Sequence, residues 1–353
     1  MVDFYFPGNG YRTKAGGAGG IKIDQMFGRE NTITGFLISK GHDEERKYAS
    51  HWQRDMKSAR DHYDSHGLKL FGDCGAFSFI NEDVPPTTVS EVIDFYNQID
   101  VDLGASLDHI VPDYDSEYDY FFGGISAPQN YLDRMGITIE NGSKFLEECK
   151  RQGVRFEPIG AVQGWSPKSY IECIKSFQKM GYKKIAVGGI AKLSKPSIKQ
   201  LLSSIKEIIG ETEIHLFGIT QPKLVREIGL PNITSVDGMG PFMGGVVRGE
   251  YFKTSTERYK CFPVSSITDE VCDLIENRQF DRVIDFADPD TNFNLDRSVE
   301  GLKTEYWKSC SCVVCSDLGV KVSLHHSDTA VHRAFHNVYV VAKEFKNMEY
   351  DLD

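Results

Sequence analysis

The chain has no run of eighteen apolar residues, and its opening MVDFYFPGNG lacks a basic segment followed by an apolar one. Membrane insertion and secretion are therefore not expected, and the reading is a cytoplasmic protein. It has no low-complexity linker and no tight repeat, which leaves out disordered scaffolds and solenoids. The glycines Gly16, Gly17, Gly19 and Gly20 read as a flexible loop, but no strand precedes them at the spacing of a dinucleotide-binding turn. Positive charge is scarce as well: 40 Lys and Arg against 51 Asp and Glu give a net charge of -11. That balance speaks weakly against a nucleic-acid partner, although net charge does not locate a groove. Lys192, Lys195, Lys199 and Lys206 form one basic stretch. Arg248, Lys253, Arg258 and Lys260 form another, diluted by Glu250 and Glu257. Both read most simply as solvated faces.

Eight cysteines could frame disulfides, but three of them crowd into Cys310, Cys312 and Cys315 while five are scattered through apolar segments. A reducing compartment with one metal site fits that distribution. Three thiols within six residues suit a tetrahedral zinc, and one histidine completes the set. His325, His326, His332 and His336 follow, the last two four residues apart on a helix expected over 328–345 with Ser327 as its cap. With all four positions filled by protein, such a zinc is structural.

From about residue 68, short apolar runs alternate with helical patterns. Strands are expected at 68–72, 101–107, 156–162, 184–188, 213–217 and 233–236, and helices at 167–180 and 195–208. Ser166-Pro167 and Ser194 to Ser197 supply the helix starts. Through much of this stretch the strands recur about every 20 to 30 residues, as repeated βα units do. The 353 residues fit a closed (β/α)8 barrel, an α/β fold of the TIM type, with an open doubly wound sheet as the alternative. The expected division is a catalytic barrel over 1–305 and a zinc-binding segment over 306–353, whose helix packs on the barrel.

In a barrel of parallel strands the reacting groups collect where strands give way to loops. Just past the expected strands stand Asp73, Asp108, Gln163, Gly189, Phe217-Gly218 and Asp237-Gly238. Each aspartate alone could be a turn former and each glycine a turn residue. Three carboxylates and a carboxamide in one mouth suit glycosyl chemistry, in which one carboxylate attacks or stabilises an anomeric carbon and another moves protons. A carboxylate beside a carboxamide also matches the edge of a purine.

Taken in order, these segments resemble the tRNA-guanine transglycosylase superfamily. The resemblance runs from Asp73-Cys74-Gly75-Ala76-Phe77 through Asp108 to Pro112, Val162-Gln163-Gly164, Gly188-Gly189-Ile190-Ala191, Phe217-Gly218-Ile219 and Asp237 to Pro241. It ends at Cys310, Cys312 and Cys315 with His336-Asn337. It implies Asp237 as nucleophile on the sugar C1′ and Asp73 as general acid and base. Asp108, Gln163 and the Gly189 backbone would hold the base edge, Phe77 and Phe217 would stack on its faces, and Cys310, Cys312, Cys315 and His336 would bind one zinc ion.

Two departures shape the expected substrate. The first 60 residues do not show the family's opening strands, so the first barrel strand stays unplaced. The basic Thr-Arg-Asn motif that follows the nucleophile in the tRNA enzymes is replaced by Pro241 to Arg248. A divergent branch of the superfamily, found in phages and bacterial modification clusters, exchanges guanine in DNA for a 7-deazaguanine such as 7-cyano-7-deazaguanine. The compact chain resembles that branch, so the expected partners are DNA ahead of tRNA and a free 7-deazaguanine base. A tRNA enzyme, a non-catalytic nucleic-acid-binding paralogue and an unrelated barrel hydrolase are the alternatives. The residues do not set the oligomeric state, and a homodimer stays open.

Overall fold

A computed structural model describes residues 1–7, 32–40, 67–115, 127–290 and 292–349. Eight parallel strands close a barrel in sequence order. They are β1 (Asp3–Pro7), β2 (Gly35–Ser39), β3 (Lys69–Asp73), β4 (Leu103–Ala105), β5 (Glu157–Val162), β6 (Lys184–Val187), β7 (Glu213–Leu216) and β8 (Ile233–Asp237). β8 pairs back onto β1, with Tyr5 opposite Asp237. The six strands expected from the sequence all occur, shifted by a residue or two at their ends. The two that could not be placed are β1 and β2. The glycine cluster at 16–20 lies outside the described residues.

Strands covered on both faces are nearly continuous apolar runs. Alternate residues point inward, where Tyr5, Leu37, Phe71, Leu103, Ile159 and Ala186 fill the barrel. The outward residues meet the helices α1 (Val89–Ile99), α2 (Gln129–Gln152), α3 (Pro167–Met180), α4 (Lys195–Ile205) and α5 (Pro222–Ile228). Local chemistry fixes where these helices start. Thr88 and Glu91 form a reciprocal capping box at α1, and Ser166 and Ser194 accept from the N–H groups of Ser169 and Ser197. Caps of this kind contribute about 1 kcal/mol each. On β3 and β4, Gly72 and Gly104 leave room for the Tyr96 ring of α1, which would stand 2.4 Å and 2.7 Å from a Cβ at those positions. The Tyr96 hydroxyl then donates to the Ala105 carbonyl at 2.8 Å.

After β8, the short helix α6 (Gly240–Val246) leads into the pair β9 (Glu250–Phe252) and β10 (Arg258–Lys260). The C-terminal helix α7 (Ser327–Lys346) lies against α6, where Gly245 allows contact so close that a Cβ would sit 2.4 Å from Ala334 Cα. Arg333 of this helix is fully buried and donates to the Gly245 carbonyl at 3.0 Å and the Leu324 carbonyl at 2.8 Å. The other end of α7 closes onto β1, where Phe345 stacks on Phe4 and its carbonyl accepts from Val2 N–H. One expected detail is corrected. Ser327 is the first residue of the helix, and the cap is His326, whose Nδ1 accepts from Asp328 N–H at 3.2 Å.

Candidate active site and metal centre

The barrel brings the expected site residues to the C-terminal ends of its strands. Asp73 and Asp237 are the last residues of β3 and β8, Gln163 follows β5 directly, and Phe217 follows β7. Asp108 lies three positions past β4 and Gly189 two past β6. Asp108 and Gln163 are buried and bonded to each other, the amide Nε2 donating to Asp108 Oδ2 at 2.6 Å. The Cys74 thiol donates to the other oxygen of Asp108 at 3.0 Å. Burial raises the Asp108 carboxyl above its usual range, and these two donors work against the rise. Gln163 Oε1 is buried with no hydrogen-bond partner among the described residues. Gly189 adopts φ +75°, and a Cβ there would stand 2.8 Å from Tyr170 Oη and 2.9 Å from Gln163 Oε1. Only glycine combines that backbone with so close an approach. Tyr170 in turn donates to the Gly188 carbonyl at 2.7 Å and steadies the loop.

At the mouth the Asp73 pKa is pushed up to about 6. Burial is the main cause. The Ser39 hydroxyl donates to its Oδ2 and pulls the other way, as does the Gly75 backbone, while the charges of Asp108 and Asp237 add to the rise. The reach of both charges to Asp73 is the electrostatic sign that the three acids share one mouth. Asp237 is buried, and its Oδ1 accepts from Gly218 N–H at 2.9 Å and lies 3.3 Å from Nε2 of the buried His215.

The two aromatic residues are placed differently. Phe77 sits in a 3-10 turn (Ala76–Phe79), is 66% exposed, and has Lys192 Nζ 5.3 Å from its ring centre. Phe217 is half-buried, edge-on to His215 at 4.8 Å and tilted against Phe71 at 6.2 Å. The basic stretches are largely occupied by their own acids. Glu250 pairs with both Arg248 and Lys260, Glu257 with Lys253, and Glu227 with Lys199.

Cys310, Cys312, Cys315 and His336 form one cluster whose ligand atoms all lie within 4.8 Å of one another. Nδ1 of His336 stands 3.5, 3.3 and 3.4 Å from the three sulfurs in that order. A tetrahedral ion with about 2.3 Å to sulfur and about 2.0 Å to nitrogen spaces its ligands by roughly 3.5 Å, so the donors fit a single metal ion. His336 Nε2 lies 2.8 Å from the Phe252 carbonyl, which takes its N–H and leaves Nδ1 for the metal. The Tyr251 ring stacks on the imidazole at 4.0 Å, and its hydroxyl is 3.1 Å from Cys315 Sγ. The neighbouring histidines do other work. His332 Nδ1 lies 3.1 Å from the Asp328 carbonyl, and His325 meets Arg333.

Three residues of this region escaped the sequence reading: Ser39, His215 and Ser235. Ser39 ends a strand that could not be placed. His215 had a visible signal, since it is the polar residue inside the apolar run Ile214 to Phe217, two positions before Phe217 and so on the same face.

A closed parallel barrel whose mouth gathers three carboxylates and a carboxamide, backed by a Cys3His cluster able to hold one metal ion, defines a barrel enzyme built to handle a polar substrate. No protein-family model matches the chain. Among curated proteins it is similar to a DNA-guanine transglycosylase of Salmonella montevideo, 27% identical over 328 residues that span 81% of this chain and 77% of that protein. The activity for which that relative is named agrees with the superfamily that the ordered motifs of this chain resemble. Among the described residues, no helix is long and apolar enough to cross a membrane.

Proposed function

We propose that the chain exchanges guanine in DNA for a 7-deazaguanine such as 7-cyano-7-deazaguanine, through a covalent intermediate on Asp237. The observation that carries this reading is the pair of carboxylates ending β3 and β8, with Asp73 held near pH 6 by burial and by the charges of Asp108 and Asp237. In the first displacement an Asp237 oxygen bonds to the sugar C1′, the bond from C1′ to guanine N9 breaks, and Asp73 gives the leaving base a proton. In the second, Asp73 takes the N9 proton of the incoming base, N9 bonds to C1′, and Asp237 leaves as carboxylate. Two inversions at one carbon retain the configuration. A carboxyl near pH 6 suits both halves, because it is available in either protonation state at neutral pH.

Asp108 and Gln163 would face the base edge. Gln163 Oε1 offers an unused acceptor, and Gly189 lets the base approach the backbone. Phe77 and Phe217 would stack on the base, a contact worth about 1–3 kcal/mol per ring. The name of the Salmonella montevideo relative supports DNA as the substrate. So does the stretch after Asp237, where exposed Met243 and Val247 on and beside α6 stand in place of the basic motif of tRNA enzymes. Cys310, Cys312, Cys315 and His336 would hold a zinc ion that braces the 306–353 segment against the barrel.

The test is an exchange assay that offers DNA and tRNA side by side with labelled 7-deazaguanines. Label is expected in DNA only. Label confined to tRNA replaces this reading with the tRNA one, and sugar hydrolysis without incorporation replaces it with a hydrolase.

A further inference from the structure

We propose that His215 is a positioning residue for Asp237, fixing one carboxylate oxygen so that the other attacks, with Ser235 setting its tautomer. The inference rests on the reading of Asp237 as nucleophile.

His215 lies inside the barrel on β7, wholly buried, with ring contacts to Phe71 and Phe217 at 4.8 Å and to Tyr5 at 6.2 Å. Its Nδ1 is 2.9 Å from Ser235 Oγ and its Nε2 is 3.3 Å from Asp237 Oδ1. Ser235 and Asp237 are two residues apart on β8 and so face the same way. The imidazole on the neighbouring strand therefore bridges them.

Burial disfavours the imidazolium, so the ring carries one N–H. If that hydrogen sat on Nδ1, the bare Nε2 lone pair would oppose a carboxylate lone pair. With the hydrogen on Nε2, it donates to Asp237, and the Ser235 hydroxyl turns to donate to Nδ1. All three groups are satisfied in that arrangement alone, and no net charge is added to the core.

Asp237 Oδ1 thus accepts from two fixed donors, Gly218 N–H at 2.9 Å and His215. Oδ2 is left as the attacking atom. Once C1′ is bonded to Oδ2, Oδ1 becomes the ester carbonyl. When the incoming base expels the carboxylate, negative charge returns to an oxygen already facing two donors. The donors therefore act on bond making and breaking at C1′ and leave the grip on the base unchanged.

The experiment compares steady-state exchange, and the single-turnover rate of covalent protein–DNA adduct formation on denaturing gels, for wild type, His215→Phe, His215→Gln, Ser235→Ala and Asp237→Ala. Phenylalanine keeps the ring packing and removes the donor; glutamine restores an N–H at similar reach. His215→Phe is expected to lower kcat and the adduct rate on the order of ten- to a hundredfold, with KM for DNA and base changed by less than about threefold. His215→Gln should recover most of that loss, and Ser235→Ala should fall between. Wild-type kcat in His215→Phe, or equal damage in Phe and Gln, overturns the proposal, because packing would then be the residue's whole role. If His215→Phe does not fold, Ser235→Ala decides alone: reduced kcat at unchanged melting temperature supports the role, and unchanged kcat overturns it. Asp237→Ala separates the two readings. Normal exchange in that variant removes the nucleophile assignment itself, whereas an inactive Asp237→Ala beside a fully active His215→Phe removes only the positioning role.

Discussion

The mouth of the barrel and the Cys3His cluster are both buried polar sites, yet they are finished differently. At the cluster every donor is committed: three sulfurs and Nδ1 face one point, Nε2 is taken by the Phe252 carbonyl, and Tyr251 covers the imidazole. At the mouth one strong acceptor, Gln163 Oε1, is left unmatched, and Asp73 is held far from its ordinary ionisation range. Unpaired buried acceptors and displaced pKa values cost stability, typically about 1–3 kcal/mol for one lost partner. A site that holds such costs in its resting state is prepared for a ligand, and a site without them is prepared to stay shut. The same contrast runs through the backbone. Gly75, Gly189, Gly218 and Gly238 of the mouth all take positive φ, while Cys312 and Cys315 sit at the start of an ordinary short helix (Val313–Leu318).

The largest effect is expected at the open site. With Asp237 as the proposed nucleophile, Asp237→Ala should lower base exchange on the order of 10⁴-fold or more. Its urea midpoint should fall only modestly, because the Gly218 N–H and the His215 ring lose their acceptor while a buried carboxylate is removed. Measured together, turnover and urea midpoint ask whether the mouth serves chemistry. A large loss of stability with exchange preserved in the folded fraction would reverse the comparison.

The closed site should answer in the opposite way. Cys312→Ser removes one of four donors from a cluster that ties α7 to the segment after the barrel, so it should lose zinc and destabilise the fold by roughly 3 kcal/mol or more. Turnover per folded molecule should be unchanged. Metal analysis and urea unfolding provide the check, with about one zinc expected per wild-type chain. A stable, metal-free wild type would end the structural-zinc reading. A variant that keeps its stability and loses turnover would move the cluster into the chemistry.

Much of this contrast can be read from the sequence, and the parts that cannot have physical causes. Asp73 and Asp237 are legible because each ends an apolar run, and Cys310, Cys312 and Cys315 because three thiols so close together have few other uses. β1 and β2 are five residues each, nearly all apolar and buried on both faces, so neither alternation nor helical period marks them. Losing β2 hides Ser39, whose place depends on a register that sets it directly opposite Asp73. The residues alone leave more than one histidine open as the fourth member of the Cys3His cluster, and the resemblance names His336. His332 and His336 share a helix face, and the folded geometry separates them by turning Nδ1 of His336 toward the sulfurs. His215 and Ser235 belong to adjacent strands, and their meeting needs the β7–β8 pairing, in which these two residues are register partners.

The smallest effect, and the finest test of how the mouth is tuned, is expected from Ser39→Ala. The Ser39 hydroxyl donates to Asp73 Oδ2 and favours the ionised carboxyl, so it opposes the rise caused by burial and by Asp108 and Asp237. Removing it should raise the Asp73 pKa above about 6, by roughly one unit, the size expected for a hydrogen bond to a charged group. With Asp73 as the proposed acid for the leaving guanine, single-turnover release from DNA should fall as pH rises through an inflection near 6 in the wild type. In Ser39→Ala that inflection moves to higher pH, and release at pH 7 rises a few-fold because more of the acid is in place. Asp73→Asn should abolish the inflection along with most of the activity. An inflection that stays put in Ser39→Ala, or moves to lower pH, would show that the hydroxyl does not govern this carboxyl. An inflection that persists in Asp73→Asn would assign the proton to another group of the mouth, with Asp108 the first to examine because burial raises it too.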